Sequence, residues 1–218
     1  MSRPEQRHVP VPEAAADVNR WQQLVDADPG HSARYADRFR RMRVEGADLV
    51  GEARMVDAML DRGSRVLDAG CGPGRIGGHL ARQGHRVVGV DLDPALVEVA
   101  RAEEEGTYLA GDLAELDAVL AGAGEPAGFD VVVCAGNVVT FLAPTQRRPV
   151  LDQLRRALAP DGRAAIGFGA GRGYPFEEFL ADAEAVGLRR ELLLSSWGLR
   201  PAGADSSFLV AVLSGGVR

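Results

Sequence analysis

Val66-Leu67-Asp68-Ala69-Gly70-Cys71-Gly72-Pro73-Gly74 decides the fold. A short apolar run, which reads as a strand, enters three glycines at every second position. An acidic residue, Asp68, stands two before the first of them. Glycine is required where a backbone turns sharply or lets a ligand come close. A glycine turn between a strand and a helix start is a site for a nucleotide-like ligand. After a helix-like stretch, a second apolar strand, Arg86-Val87-Val88-Gly89-Val90, ends in Asp91. An acidic residue about 20 positions beyond the glycines is placed to bind two ribose hydroxyls.

Composition narrows the classes around this unit. The chain has 218 residues, 46% apolar and 26% charged, enough for one domain with a full core. A net charge of −6 argues against duplex nucleic acid as a partner, because such binding rests on phosphate neutralisation. The two cysteines, Cys71 and Cys134, each close an apolar strand and are expected as free thiols. No apolar run reaches membrane-spanning length, and the first residues lack the apolar core of a signal peptide. A cytoplasmic protein is the expectation. All 25 basic residues are arginine, and with abundant alanine this points to a GC-rich bacterial genome.

Downstream, the chain alternates. Strands are predicted at 65–69, 86–91, 107–110, 130–135, 163–168, 190–196 and 207–213, with helices at 75–83, 94–104, 113–121, 144–158 and 175–186. Alternating βα units predict a doubly wound, mostly parallel α/β sheet with right-handed crossovers. Val131-Val132-Val133 suits a strand buried on both faces, and Gly162 suits a turn into the fifth strand. Upstream, residues 1–12 read as a tail, and 13–28 and 31–61 as helices broken at Asp28-Pro29-Gly30. This divides the chain into an N-terminal tail and helical lid, 1–61, and a ligand-binding core, 62–218.

The chain resembles the class I S-adenosylmethionine-dependent methyltransferases. The resemblance lies in VLDAGCGPGR at 66–75, VVGVDLD at 87–93, GDL at 111–113, FDVVVCAG at 129–136 and LRRALAPDGRAAIGFG at 154–169, and it covers roughly residues 60–214. The nicotinamide fingerprint G-x-G-x-x-G would put its third glycine at position 75, which is Arg75. Here the third glycine is Gly74, the methyltransferase spelling D-x-G-x-G-x-G. The resemblance implies a seven-stranded Rossmann-like sheet whose last two strands form an antiparallel hairpin. It also implies S-adenosylmethionine as cofactor. Gly70, Cys71 and Gly72 would pass under its methionine and ribose, and Asp91 would accept both ribose hydroxyls. Leu92 would pack on the adenine, with Asp112 and the Leu113 amide at its amino edge. Its ammonium would meet the carbonyls of Gly70 and Cys134.

Other readings of the same residues stay open. Asp91 and Asp112 could each cap the helix that follows. Asp68 could brace the loop amides or touch the ligand. Cys71 could be present only for its size, and Arg75 could be a first-turn helix residue or reach the cofactor carboxylate. Arg34, Arg38 and Arg41 share one helical face, with Arg40 and Arg43 near it; that face is either solvated or turned to an anion over the cleft. Trp21, Tyr35 and Trp197 are candidate walls. His8, His31, His79 and His85 lack metal-binding spacing, and no metal is expected. After the fourth strand the chain lacks the [D/N]-P-P-[Y/F/W] motif of enzymes that methylate planar amino groups of bases or glutamine.

The function implied is one-step, in-line methyl transfer to a small-molecule acceptor, achieved by alignment and exclusion of water, with no catalytic residue assigned. Two alternatives are a non-catalytic cofactor-binding regulator and a nicotinamide-dependent oxidoreductase. Expected partners are the small-molecule methyl acceptor and, at most, a second copy of the chain in a homodimer. Neither DNA nor a membrane is expected.

Overall fold

The computed structural model describes residues 17–215. The expected tail 1–12, and the start of the helix expected at 13–28, lie outside them. The seven strands are β1 (Arg65–Ala69), β2 (Arg86–Asp91), β3 (Thr107–Ala110), β4 (Phe129–Cys134), β5 (Leu158–Gly169), β6 (Leu188–Leu194) and β7 (Phe208–Gly215). They form one sheet in the order β3-β2-β1-β4-β5-β7-β6. The first five are parallel, and β7 runs antiparallel between β5 and β6. The expected doubly wound sheet with an antiparallel C-terminal hairpin is present.

Alternation along the strands divides the core into two layers. Leu67, Val132 and Ile166 face one side, with residues of α6 (Leu116–Gly122), α7 (Arg147–Ala157) and α8 (Phe176–Ala185). Val66, Val131 and Val133 face the other, with α3 (Gly51–Asp57) and α4 (Arg75–Arg82). The continuous valine run of β4 is fully buried because helices cover both faces. α5 (Pro94–Glu103) starts at a proline behind Asp93, whose carboxylate accepts from the Ala95 and Leu96 amides, and it packs on β3.

The N-terminal region differs from expectation. α1 (Arg20–Ala27) and α2 (His31–Val44) break where predicted, but 31–61 is not one helix. α2 stops at Gly46, whose φ of 77° ends it, and α3 begins at Gly51. α3 packs against the sheet: Ala53 and Val56 are fully buried among Val66, Leu80 and Val131. Only α1 and α2 therefore stand apart from the sheet layers.

Three strand bounds also shift. β5 begins at Leu158, pairs there with Phe129, and resumes a new register at Arg163 with Val131, so Gly162 lies inside an irregular strand start. β6 begins at Leu188, directly behind the left-handed Gly187, and stops before Ser195, whose amide turns back to the Arg200 carbonyl. β7 reaches Gly215. The sheet reverses between β1 and β4, and the crevice beyond their carboxyl ends is where open α/β sheets bind ligands.

Candidate functional site

A pocket partly open to solvent occupies that crevice. Its floor is the glycine loop. Gly70 has φ 78°, and a Cβ there would stand 2.3 Å from Val138, so the loop after β4 closes down only on a glycine. Gly72 has φ 53°, and the nearest atom to a Cβ there is Tyr35 Cε1 at 3.8 Å, which leaves the space over its backbone to a ligand. The amides of Gly70 and Cys71 both donate to the Val90 carbonyl, tying the loop to β2.

Of the residues the resemblance implies, Gly70, Cys71, Gly72, Asp91, Leu92, Asp112 and Leu113 line the cavity. Asp68, Gly74 and Cys134 do not. Asp68 is 1% exposed and points beneath the first turn of α4, where Oδ2 accepts the Gly77 amide at 2.9 Å. Of its two readings, the brace is what the geometry displays. Gly74 is the left-handed N-cap of α4, held against Ala100 and Tyr108. The Cys134 side chain is buried in the core. Both thiols are free and pushed up by burial, so they stay protonated and are poor nucleophiles.

Asp91 does not cap α5, since Asp93 does. Its Oδ2 accepts the Gly72 amide at 2.7 Å and its Oδ1 the Asp93 amide at 2.9 Å. It sits at the cavity edge with acceptor capacity left over. Asp112 does cap: Oδ1 accepts from Ala114 at 2.9 Å and Oδ2 from the Gln146 amide at 3.2 Å, while the residue still lines the cavity. Capping and ligand contact are compatible here.

The roof comes from α1, α2 and the segment before them. Trp21, Tyr35 and Phe39 line the cavity together with Asn19. Trp21 stands edge-on to Tyr35, His31 and Phe141 at 5.0, 5.0 and 5.7 Å, a geometry aromatic rings prefer. The roof is latched to the β2 end: Trp21 Nε1 donates to Asp93 Oδ2 at 3.0 Å, and the Ser32 hydroxyl donates to the same oxygen. Arg20 donates its amide to the Phe141 carbonyl at 2.8 Å.

Arg34 and Arg38 lie on the exposed side of α2: Arg34 pairs with Asp28, and Arg38 covers the rings of Tyr35 and Phe39 at 5.0 Å. Arg75 lines the cavity but is bound bidentately by Glu52 at 2.8 and 2.9 Å. Trp197 is not a cavity wall. It packs over Gly167 beside Met55 and Leu194, because β6 ends on the α3 side of the sheet. Asn19, Phe141 and Leu142 were missed as lining residues. Only the apolar run after β4 hinted at the last two.

Two carboxyls carry a pH signature. Burial raises Asp68 to about 7, partly opposed by the Gly77 amide, and raises Asp91 to about 6 against the Asp93 and Gly72 amides. Between about pH 4 and 7 the folded chain therefore holds protons that the unfolded chain has released. The stability these groups contribute is complete below pH 4 and is lost as pH rises through 6 and 7. Asp57, held at about 2 chiefly by Arg62, acts in a separate window: its contribution is lost as pH falls below about 4. The melting temperature of the ligand-free protein should thus fall from pH 5 to 7.5, and Asp68→Asn should flatten that fall. The resemblance implies that ionised Asp91 accepts the ribose hydroxyls; on that reading S-adenosylhomocysteine should bind about tenfold more weakly at pH 5 than at pH 7.5 by calorimetry. An affinity independent of pH would separate Asp91 from the ribose.

A mostly parallel sheet with an antiparallel seventh strand, and a glycine floor and acidic strand ends around one pocket, defines a Rossmann-like fold of the nucleoside-cofactor kind. The chain belongs to the S-adenosylmethionine-dependent methyltransferase family. The methyltransferase-domain family matches residues 66–162. A solved TehB-like S-adenosylmethionine-dependent methyltransferase from Corynebacterium glutamicum is 48% identical, superposes with a TM-score of 0.80, and is matched over 86% of this chain and 100% of its own. The ubiquinone biosynthesis O-methyltransferase of Xylella fastidiosa is 36% identical over 106 residues, 48% of this chain and 41% of that protein. The magnesium-protoporphyrin O-methyltransferase of Rhodobacter capsulatus is 34% identical over 144 residues, 62% of this chain and 57% of that protein. The chain thus spans about half the length of these two curated relatives. S-adenosylmethionine is the cofactor of the family, and the nicotinamide-dependent alternative falls away.

Proposed function

We propose that the protein transfers the methyl group of S-adenosylmethionine to a small-molecule acceptor. The glycine loop and acidic strand ends gathered in one pocket under the aromatic residues are the observation that carries this reading. On this reading the ribose would lie at Asp91, which offers charged acceptors to two hydroxyls, and the adenine between Leu92 and Asp112. These residues fit the group: the acidic side chains at the strand ends accept, and ribose hydroxyls and an exocyclic amine donate. When bound, the sulfonium supplies an activated methyl that needs no covalent help from the protein. The chain's part is to align donor and acceptor and to keep water out. Trp21, Tyr35 and Phe39 exclude water from above; Gly70 and Gly72 let the ligand lie against the backbone.

Among the described residues no histidine lines the cavity, and His85 is held 2.9 Å from Asp57. No general base is assigned. A small acceptor is favoured because the β5–β6 crossover holds only a short loop and α8, with no inserted substrate domain. Floor, walls and roof come from one chain, so the site needs no second copy. Among the described residues, no helix is long and apolar enough to cross a membrane, and none forms a metal-binding cluster. Two free buried thiols suit a reducing bacterial cytoplasm, where we place the activity.

Calorimetry should detect S-adenosylmethionine and S-adenosylhomocysteine but not NAD. Labelled methyl should pass from the cofactor into a metabolite fraction. Binding without any turnover would favour the regulatory alternative, and no binding would end both readings.

A further inference from the structure

Beside the cavity, past the carboxyl ends of β4 and β5, lies a cluster of hydrogen-bond donors, Arg20, Asn137 and Arg172, that stands just outside the cavity lining. Gly136 lines the cavity, and Asn137 follows it with a left-handed backbone, φ 69°. Asparagine adopts this conformation more readily than other non-glycine residues, so the turn carries little strain. Asn137 Oδ1 accepts the Gly169 amide at 2.9 Å, which fixes the side chain and leaves its amide hydrogens without a protein partner among the described residues. Arg172, in the loop after β5, folds back onto the same pair: its Nε lies 3.2 Å from where a Cβ on Gly169 would stand. Arg20 meets it from α1, donating through Nη1 to the Arg172 carbonyl at 3.0 Å. A third arginine, Arg147, anchors this loop through the Gly173 carbonyl at 2.5 Å and is itself paired with Glu178 at 2.6 Å.

Arg75, Arg40 and Arg43 are neutralised by Glu52, Glu103 and Glu104. Among the described residues Arg20 and Arg172, like Arg38 and Arg41 on α2, have no carboxylate at ion-pair distance; what sets Arg20 and Arg172 apart is that they meet each other beside Asn137. A chain of net charge −6 repels anions at long range, so an anion is held here only by short-range donors. Guanidinium groups match carboxylate and phosphate oxygens in geometry as well as charge.

We infer that the methyl acceptor carries an anionic oxygen group, a carboxylate or a phosphate, that is held by Arg172, Arg20 and the Asn137 amide. The inference rests on the methyl-transfer reading and deepens it. In the sheet, β4 lies between β1 and β5. A molecule anchored there would extend across the end of β4 toward the glycine loop, where the proposed site holds the methyl donor.

The test uses the full chain saturated with S-adenosylhomocysteine and three probes of one shape: 4-hydroxybenzoate, phenyl phosphate and phenol. At least one anion should bind measurably and phenol at least tenfold more weakly. Arg172→Gln should weaken that anion by roughly tenfold or more with S-adenosylhomocysteine affinity unchanged, and Arg20→Gln should weaken it similarly with a small drop in melting temperature, because it also frees the Arg172 carbonyl. Arg172→Lys should recover part of the loss. Which anion binds tells a carboxylate from a phosphate acceptor. Phenol binding as tightly as both anions, no anion binding, or anion binding unchanged in the double variant would overturn the inference alone. Failure of the wild-type chain to bind S-adenosylhomocysteine would overturn the methyl-transfer reading and the inference with it.

Discussion

Asp91→Ala should weaken S-adenosylhomocysteine binding by about 2–4 kcal/mol, because on the proposed reading two ribose hydroxyls lose a charged acceptor. That is a loss of roughly 30- to 1,000-fold in affinity. Asp91 also holds the Gly72 and Asp93 amides, so the variant has a second cost. Two backbone donors at the edge of the cavity lose their partner, and the melting temperature should drop as well. The sheet should survive, since the strands pair without this side chain. Asp91→Asn separates the two effects. It keeps one acceptor oxygen but turns an amide toward a backbone N–H, and it removes the charge, so its affinity should be low and no longer pH-dependent between 5 and 7.5. Calorimetry beside a thermal melt reads both. A folded Asp91→Ala protein with the wild-type dissociation constant would leave Asp91 a purely structural brace.

Removal of residues 1–45 should eliminate methyl transfer and reduce cofactor affinity while leaving a folded core. The segment supplies the aromatic roof, and without it the reacting centre is open to water. The core should stand because what ties the roof down is mostly peripheral. The Arg40–Glu103 pair is largely exposed, and such pairs contribute about 0–1 kcal/mol. The buried Glu104 loses Arg43 but keeps Arg82 at 2.6 Å, and Asp93 loses Trp21 and Ser32 but still caps α5. α3, which packs against the sheet, is retained. In the intact chain, amide exchange across 17–45 should slow on adding S-adenosylhomocysteine, while β4 should change little. If the truncated protein turned over substrate at the full-length rate, α1 and α2 would not be a lid.

The order of β and α elements, the glycine loop, and the acidic residues closing β2 and β3 were legible in the sequence. Each depends on residues close together in the chain: apolar runs, a glycine spelling, an acid at a fixed step beyond it. The antiparallel hairpin and the ligand roles came through family resemblance, because no local pattern tells where β7 inserts. Tertiary structure alone decided the rest. Whether Asp68 braces or binds depended on α4 bringing the Gly77 amide onto its carboxylate. Trp197 went to the α3 side, and α3 itself to the core, through packing against residues on other elements. The latch of Trp21 on Asp93 joins residues 72 apart, and the cluster of Arg20, Asn137 and Arg172 draws on three separate elements. Sequence periodicity records which face of an element is apolar. It carries no information on which distant side chain will meet that face, because such contacts are selected only when the whole chain packs.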